Sequence, residues 1–153
     1  MATVYSAQRT NSRATPVVMN KANEMAGRVR VAHGTYEASS LASGDVIEMF
    51  ILPDGARILQ GSLAHDALGA STTLAVGHGA YKNAAGTDVS ADGDEFKAAA
   101  ASTAAQKVDV AATLALGSGT EIDANEDGFP VTVTMGGAAG TGTIELTMLY
   151  VVD

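Results

Sequence analysis

The chain has 153 residues, a formal net charge of −8, and neither cysteine nor tryptophan. That length suits one domain, and the missing thiols exclude disulfides, thiolate metal sites and thiol catalysis. The apolar content overstates the core, because 29 of those residues are alanine and only 42 are larger, while 17 glycines add ordering entropy. Such a core predicts a marginal monomer that gains stability by burying surface against identical copies.

Charge is unevenly divided. Within the first 30 residues Arg9, Arg13, Lys21, Arg28 and Arg30 face one acid, Glu24, giving +4. The remaining 123 residues set four basic residues against 16 acids, giving −12. Between Ala2 and Asn23 no period of 2 or 3.6 is sustained, and Thr, Ser, Asn and Gln dominate. Residues 1–26 therefore read as an extended basic arm and 27–153 as the body. An arm of this sign is expected to dock on an acidic surface through Arg9, Arg13 and Lys21. The start, MATVYSAQRT, has no apolar signal-type core. No apolar run approaches the ~20 residues of a membrane span. The expectation is a chain made in a cytoplasm and soluble there, with no membrane contact. The acidic body, with Tyr5 the arm's one stacking group, argues against specific nucleic-acid binding.

After Gly27 the pattern is mostly β. Arg28–Glu37 alternates, with Val29, Val31 and His33 on one face. Asp45–Leu52 is apolar on both faces and reads as a central or interface strand, making Ile47, Met49, Phe50 and Ile51 candidates for an oligomer contact. Pro53-Asp54-Gly55 is a turn. Arg57–His65 and Thr72–Tyr81 are the next strands. Asp92-Gly-Asp-Glu95 has capping-box spacing and leads into an alanine-rich run, which predicts a short helix over about residues 93–105. Lys107–Leu116, the Val131/Val133/Met135 alternation and Thr143–Val152 complete the strands. Ile144, Leu146, Met148, Tyr150 and Val152 share a face of the last. Short strands joined by Gly-rich turns predict an all-β sandwich or jelly roll. Thr73–Gly79 also resembles Thr113–Gly119, either as quasi-equivalent strands or by chance in an Ala/Gly-rich chain.

Little in the sequence carries chemistry. His33, His65 and His78 lie far apart, each in a predicted strand. No nucleophile elbow, HExxH, P-loop or dinucleotide fingerprint occurs, so neither an enzyme nor a cofactor is expected. Asp123-Ala-Asn125-Glu-Asp127-Gly128 opens like a calcium loop, and Asp88–Gly93 does so more weakly. Each lacks the closing glutamate, with Thr134 and Ala99 at the twelfth positions. Asp123, Asn125 and Asp127 form a weak metal candidate, to be weighed against an acidic turn rich in Asx residues.

Met25–Tyr36, LPDGARILQGSLAHDALGASTTLAVGHGAY (Leu52–Tyr81) and the terminal TMLYVVD resemble the head decoration, or capsid cement, proteins of tailed bacteriophages. The echoes are Gly-Arg-Val-Arg after a polar arm, Leu-Pro-x-Gly, Leu-Gly-Ala-Ser-x-Thr-Leu and Tyr-Val-Val-Asp. They cover about half the chain and mark strands and turns. The resemblance implies a β-sandwich that oligomerises, commonly as a trimer, on the outer capsid surface with the major capsid protein as partner. The alanine-rich segment departs from the family pattern. A virion receptor- or glycan-binding module and a tail structural module are the competing readings.

Overall fold

Alternating apolar side chains become sheet along most of the chain. The computed structural model describes residues 3–152; Met1, Ala2 and Asp153, which end the predicted arm and the terminal Tyr-Val-Val-Asp, lie outside the described residues. The elements are α1 (Ala7–Arg13), β1 (Val29–Leu41), β2 (Val46–Leu52), β3 (Arg57–His65), β4 (Thr72–His78), β5 (Tyr81–Lys82), β6 (Asp88–Val89), β7 (Asp92–Ala101), β8 (Gln106–Val110), a 3-10 turn (Leu114–Leu116), β9 (Phe129–Gly137) and β10 (Gly140–Val151). Two four-stranded antiparallel sheets form, in the orders β1-β10-β3-β8 and β2-β9-β4-β7. This order is that of an eight-stranded jelly roll. The β5–β6 hairpin stands apart as a two-stranded ribbon.

The core lies between the sheets. Ile144, Leu146 and Met148 of β10 and Val131, Val133 and Met135 of β9 are fully buried, on the alternate positions the sequence predicts. Val29 and Val31 of β1 point the other way and are each 60% exposed. The Pro53–Gly55 turn forms as expected: Gly55 takes φ +71°, and the Ala56 amide donates to the Pro53 carbonyl at 3.3 Å.

Four expectations need correction. The segment predicted as a helix over 93–105 is β7, paired with β4 at Thr73↔Ala101, Leu74↔Ala100, Val76↔Lys97 and His78↔Asp92. An alanine-rich helix of that length is marginal in water. Burying Phe96 to 1% exposure while pairing the backbone outweighs it. Asp92 does accept an amide, from Asp94 at 3.2 Å, but as an Asx turn within the strand rather than a helix cap. Among the described residues the single α-helix is α1, in the arm, where Ser6 caps the Arg9 amide at 3.3 Å.

Second, β2 is an edge strand, not a central one. Its register shifts between Glu48 and Phe50, leaving Met49 as the extra residue of a bulge. The bulge reverses the alternation, so Ile47 and Leu52 both turn inward, and a strand with one buried face reads as apolar on two. Third, the strand predicted over Lys107–Leu116 stops at Val110, where Ala111 takes φ +52°; Leu114 is 87% exposed. Fourth, Thr113–Gly119 is therefore a turn while Thr73–Gly79 is mostly strand, so of the two readings of their likeness the quasi-equivalent one falls.

Candidate docking surfaces

The arm is built around α1. The helix buries no residue, and Asn20 closes its far side by donating to the Gln8 carbonyl at 3.1 Å and to Ser12 at 3.3 Å, while accepting from Asn11 at 3.1 Å. Arg9 and Arg13 lie one turn apart on one face. The Arg13 guanidinium sits 5.0 Å from the centre of the Tyr5 ring, within cation–π range. Neither arginine has a carboxylate partner among the described residues. Val4, Val17, Val18 and Met19 are exposed, Met19 to 87%.

Lys21 is placed differently. Its Nζ donates to Glu121 at 2.7 and 2.9 Å, and Glu121 also accepts from Arg57 Nη2 at 2.9 Å. Glu24 approaches the same guanidinium at 3.6 Å, Arg57 Nη1 donates to the Gly119 carbonyl at 2.6 Å, and Asn23 donates to the Gly55 carbonyl at 2.9 Å. Residues 21–24 thus form a root clasped to the body. The polar contacts of residues 3–20 stay within the arm among the described residues. Composition marks the arm as basic, but it cannot show this clasp, since Lys21 and Glu121 are 100 residues apart.

The Lys21 hydrogen bond and charge, with Arg57 and Asn23 adding to them, hold the Glu121 carboxyl below its ordinary value of 4.5 against an opposing burial effect. A depressed carboxylate stabilises the folded state fully above its unfolded value and loses that contribution as pH falls through the folded one. Amide exchange of residues 21–25, corrected for intrinsic rates, is therefore expected to stay slow above about pH 4.5 and quicken below it. Glu121→Gln should abolish that step; an unchanged step would mean another group holds the root.

The four interface candidates separate. Ile47 is 6% exposed and belongs to the core, Met49 and Phe50 are half-buried against it, and Ile51 is 53% exposed. Ile51 and Pro130 line a groove of about 540 Å³ together with Tyr81 and Val89 of the β5–β6 hairpin. Glu48 and Asp127 also line it, and Lys82 there is paired with Asp88 at 2.6 Å. Burial, followed by the charges of Asp123 and Glu95, raises the Tyr81 hydroxyl above its ordinary range. Tyr81 also packs on Phe129 and His78, with ring centres 4.9 and 5.4 Å away.

The oxygens of the acidic loop accept hydrogen bonds from the loop itself and from the β5–β6 hairpin. Asp123 accepts the Ala84 amide at 3.1 Å, Asn125 Oδ1 accepts the Asp127 amide at 3.1 Å, and Asn125 Nδ2 donates to Asp127 at 2.9 Å. No group of three His, Cys, Asp or Glu side chains gathers as a metal set among the described residues. His65 and His78 are buried, each with Nδ1 within 2.8 Å of the next residue's carbonyl oxygen, and His33 meets Thr147 at 2.9 Å on the outer face. No helix among the described residues is long and apolar enough to cross a membrane.

No protein-family model matches the chain, and no curated protein matches it. Solved structures do. A chain in the capsid of Ralstonia phage GP4 is 28% identical with a TM-score of 0.61, over 83% of this chain and 86% of that one. A chain in the cyanophage Pam1 capsid asymmetric unit is 20% identical with a TM-score of 0.60, over the same shares of each. The Pam1 likeness is one of fold. The chain is similar in structure to components of two phage capsids, each of nearly its own length.

Proposed function

We propose that the protein is a capsid decoration protein, a phage structural protein that binds the outer surface of the shell and steadies contacts between capsomers. The observation that carries the proposal is the GP4 likeness: a capsid component of about this length, matched over 83% of this chain and 86% of that one at 28% identity. A shell component this small, without a catalytic motif, fits an accessory role on a surface made by the major capsid protein. A fold alone does not assign a role, so support also comes from the parts. The body exposes apolar side chains on β1 and β2, as a protein that assembles with copies of itself requires, and a trimer is the assembly proposed. The arm carries two guanidiniums that have no carboxylate partner among the described residues, away from an acidic body, and supplies attachment to the decorated particle.

The test is rebinding to particles stripped of the protein, followed by sedimentation. Deleting residues 2–20 spares the root and should leave the body folded while lowering occupancy at limiting concentration by about tenfold or more, a loss of at least ~1.4 kcal/mol. Arg9→Gln with Arg13→Gln should weaken binding less, and more at low salt than at high, because exposed charges are screened beyond ~10 Å at 0.1 M. Full occupancy without the arm would move attachment to a face of the body.

A further inference from the structure

We infer that the groove lined by Ile51 and Pro130 receives the α1 arm of a neighbouring copy, so that the arm's partner is a second copy of this chain. The inference rests on reading the arm as an attachment segment and names what it grips. Complementarity of charge and shape carries it. The arm presents Tyr5 with the Arg13 guanidinium over its ring and Arg9 one turn away, neither arginine having a carboxylate partner among the described residues. The groove presents an apolar lining, Ile51, Pro130, Tyr81 and Val89, together with Glu48 and Asp127, which have no cationic partner among the described residues. Two cations without a carboxylate partner thus match two carboxylates without a cationic one among the described residues, and Lys82, the cation that lines the groove, is already paired with Asp88.

The arm's own course favours a neighbour over its own body. Lys21 fixes the root on Glu121, and no hydrogen bond or ion pair ties residues 3–20 to the body among the described residues. Val4 is 90% and Met19 87% exposed, an apolar load that calls for a partner. Beyond the root the arm is folded on itself, with Asn20 joined to Gln8 and Ser12 and the Val18 amide donating to the Asn11 carbonyl at 3.2 Å, so it carries Tyr5, Arg9 and Arg13 to a partner as one unit. An arm lent to the next copy adds buried area where the core is thin, and it makes assembly reciprocal, each copy giving an arm and receiving one.

The absence of cysteine makes a clean test. Tyr5→Cys and Ile51→Cys proteins, one carrying a mass tag, are mixed, allowed to exchange subunits and mildly oxidised. The expected product is a covalent heterodimer joining residue 5 of one chain to residue 51 of the other. Arg9→Glu with Arg13→Glu should cut its yield about tenfold, the equivalent of ~1.4 kcal/mol, and Glu48→Arg with Asp127→Arg in the receiving chain should restore it. No heterodimer, free or on particles, would overturn the inference. So would closure of the Tyr5→Cys/Ile51→Cys double variant within one chain, or failure of the charge swap to restore the yield. If arm deletion abolishes occupancy while no heterodimer forms, the arm grips the shell and only the groove assignment falls. A heterodimer in a protein that never binds particles would uphold the groove and defeat the decoration role.

Discussion

Phe96→Ala is expected to destabilise the body by about 3–5 kcal/mol, the range for removing a buried aromatic ring. Phe96 is 1% exposed, its ring lies 6.0 Å from Phe129, and its carbonyl accepts the Ala111 amide at 3.0 Å. It is the only large apolar side chain of β7, which otherwise offers alanines and charged residues. Truncation opens a cavity and also removes the main side-chain reason for β7 to be a strand. Denaturant unfolding at fixed protein concentration measures the loss, since association shifts the midpoint. The freed segment should follow its own propensity, so far-UV circular dichroism of the variant in mild denaturant should show added helix. An unchanged midpoint would mean β7 is held by its backbone pairing alone.

Gly77→Ala is expected to cost about 3 kcal/mol, the upper part of the overpacking range. A Cβ at residue 77 would fall on the Asp92 carbonyl oxygen, 2.5 Å from the Gly93 carbonyl carbon and 2.7 Å from the Asp94 nitrogen. These are backbone atoms of β7, which no rotamer change can move aside. Residue 77 sits in β4, between β9 and β7, where the β4–β7 register shifts between Val76 and His78. The first residues of β7 must lift off β4 to admit a methyl group. Hydrogen exchange should therefore quicken at Asp92–Glu95 before the rest of the sheet, and the unfolding midpoint should fall. Wild-type stability would show that β7 shifts at no cost.

The sequence exposes much of this fold because most strands have one buried face. The β9 and β10 alternations survive intact, and Arg57–His65 is strand over its predicted length. The failures have local causes. Local propensity favours a helix for Ala98–Ala101, and only tertiary pairing with β4 and burial of Phe96 make it a strand. The bulge at Met49 disguises an edge strand as a two-sided one. The arm is visible as charge, yet its root is not, because Lys21 and Glu24 meet Arg57 and Glu121 only after folding. The Ile51 groove was equally hidden: β2 supplies Glu48 and Ile51, but Tyr81, Val89, Asp127 and Pro130 come from distant segments. Arg9 and Arg13 lie in the arm as read, with Tyr5, just before the helix, placed under the Arg13 guanidinium.

The central claim, that this chain decorates a phage shell, is tested most directly by cryo-electron microscopy of the particles with which it copurifies. The account predicts jelly-roll density on the outer surface, seated across contacts between capsomers, with each arm leaving its body at Lys21. Density confined to the tail or the shell interior, or particles that carry none of this protein, would contradict it.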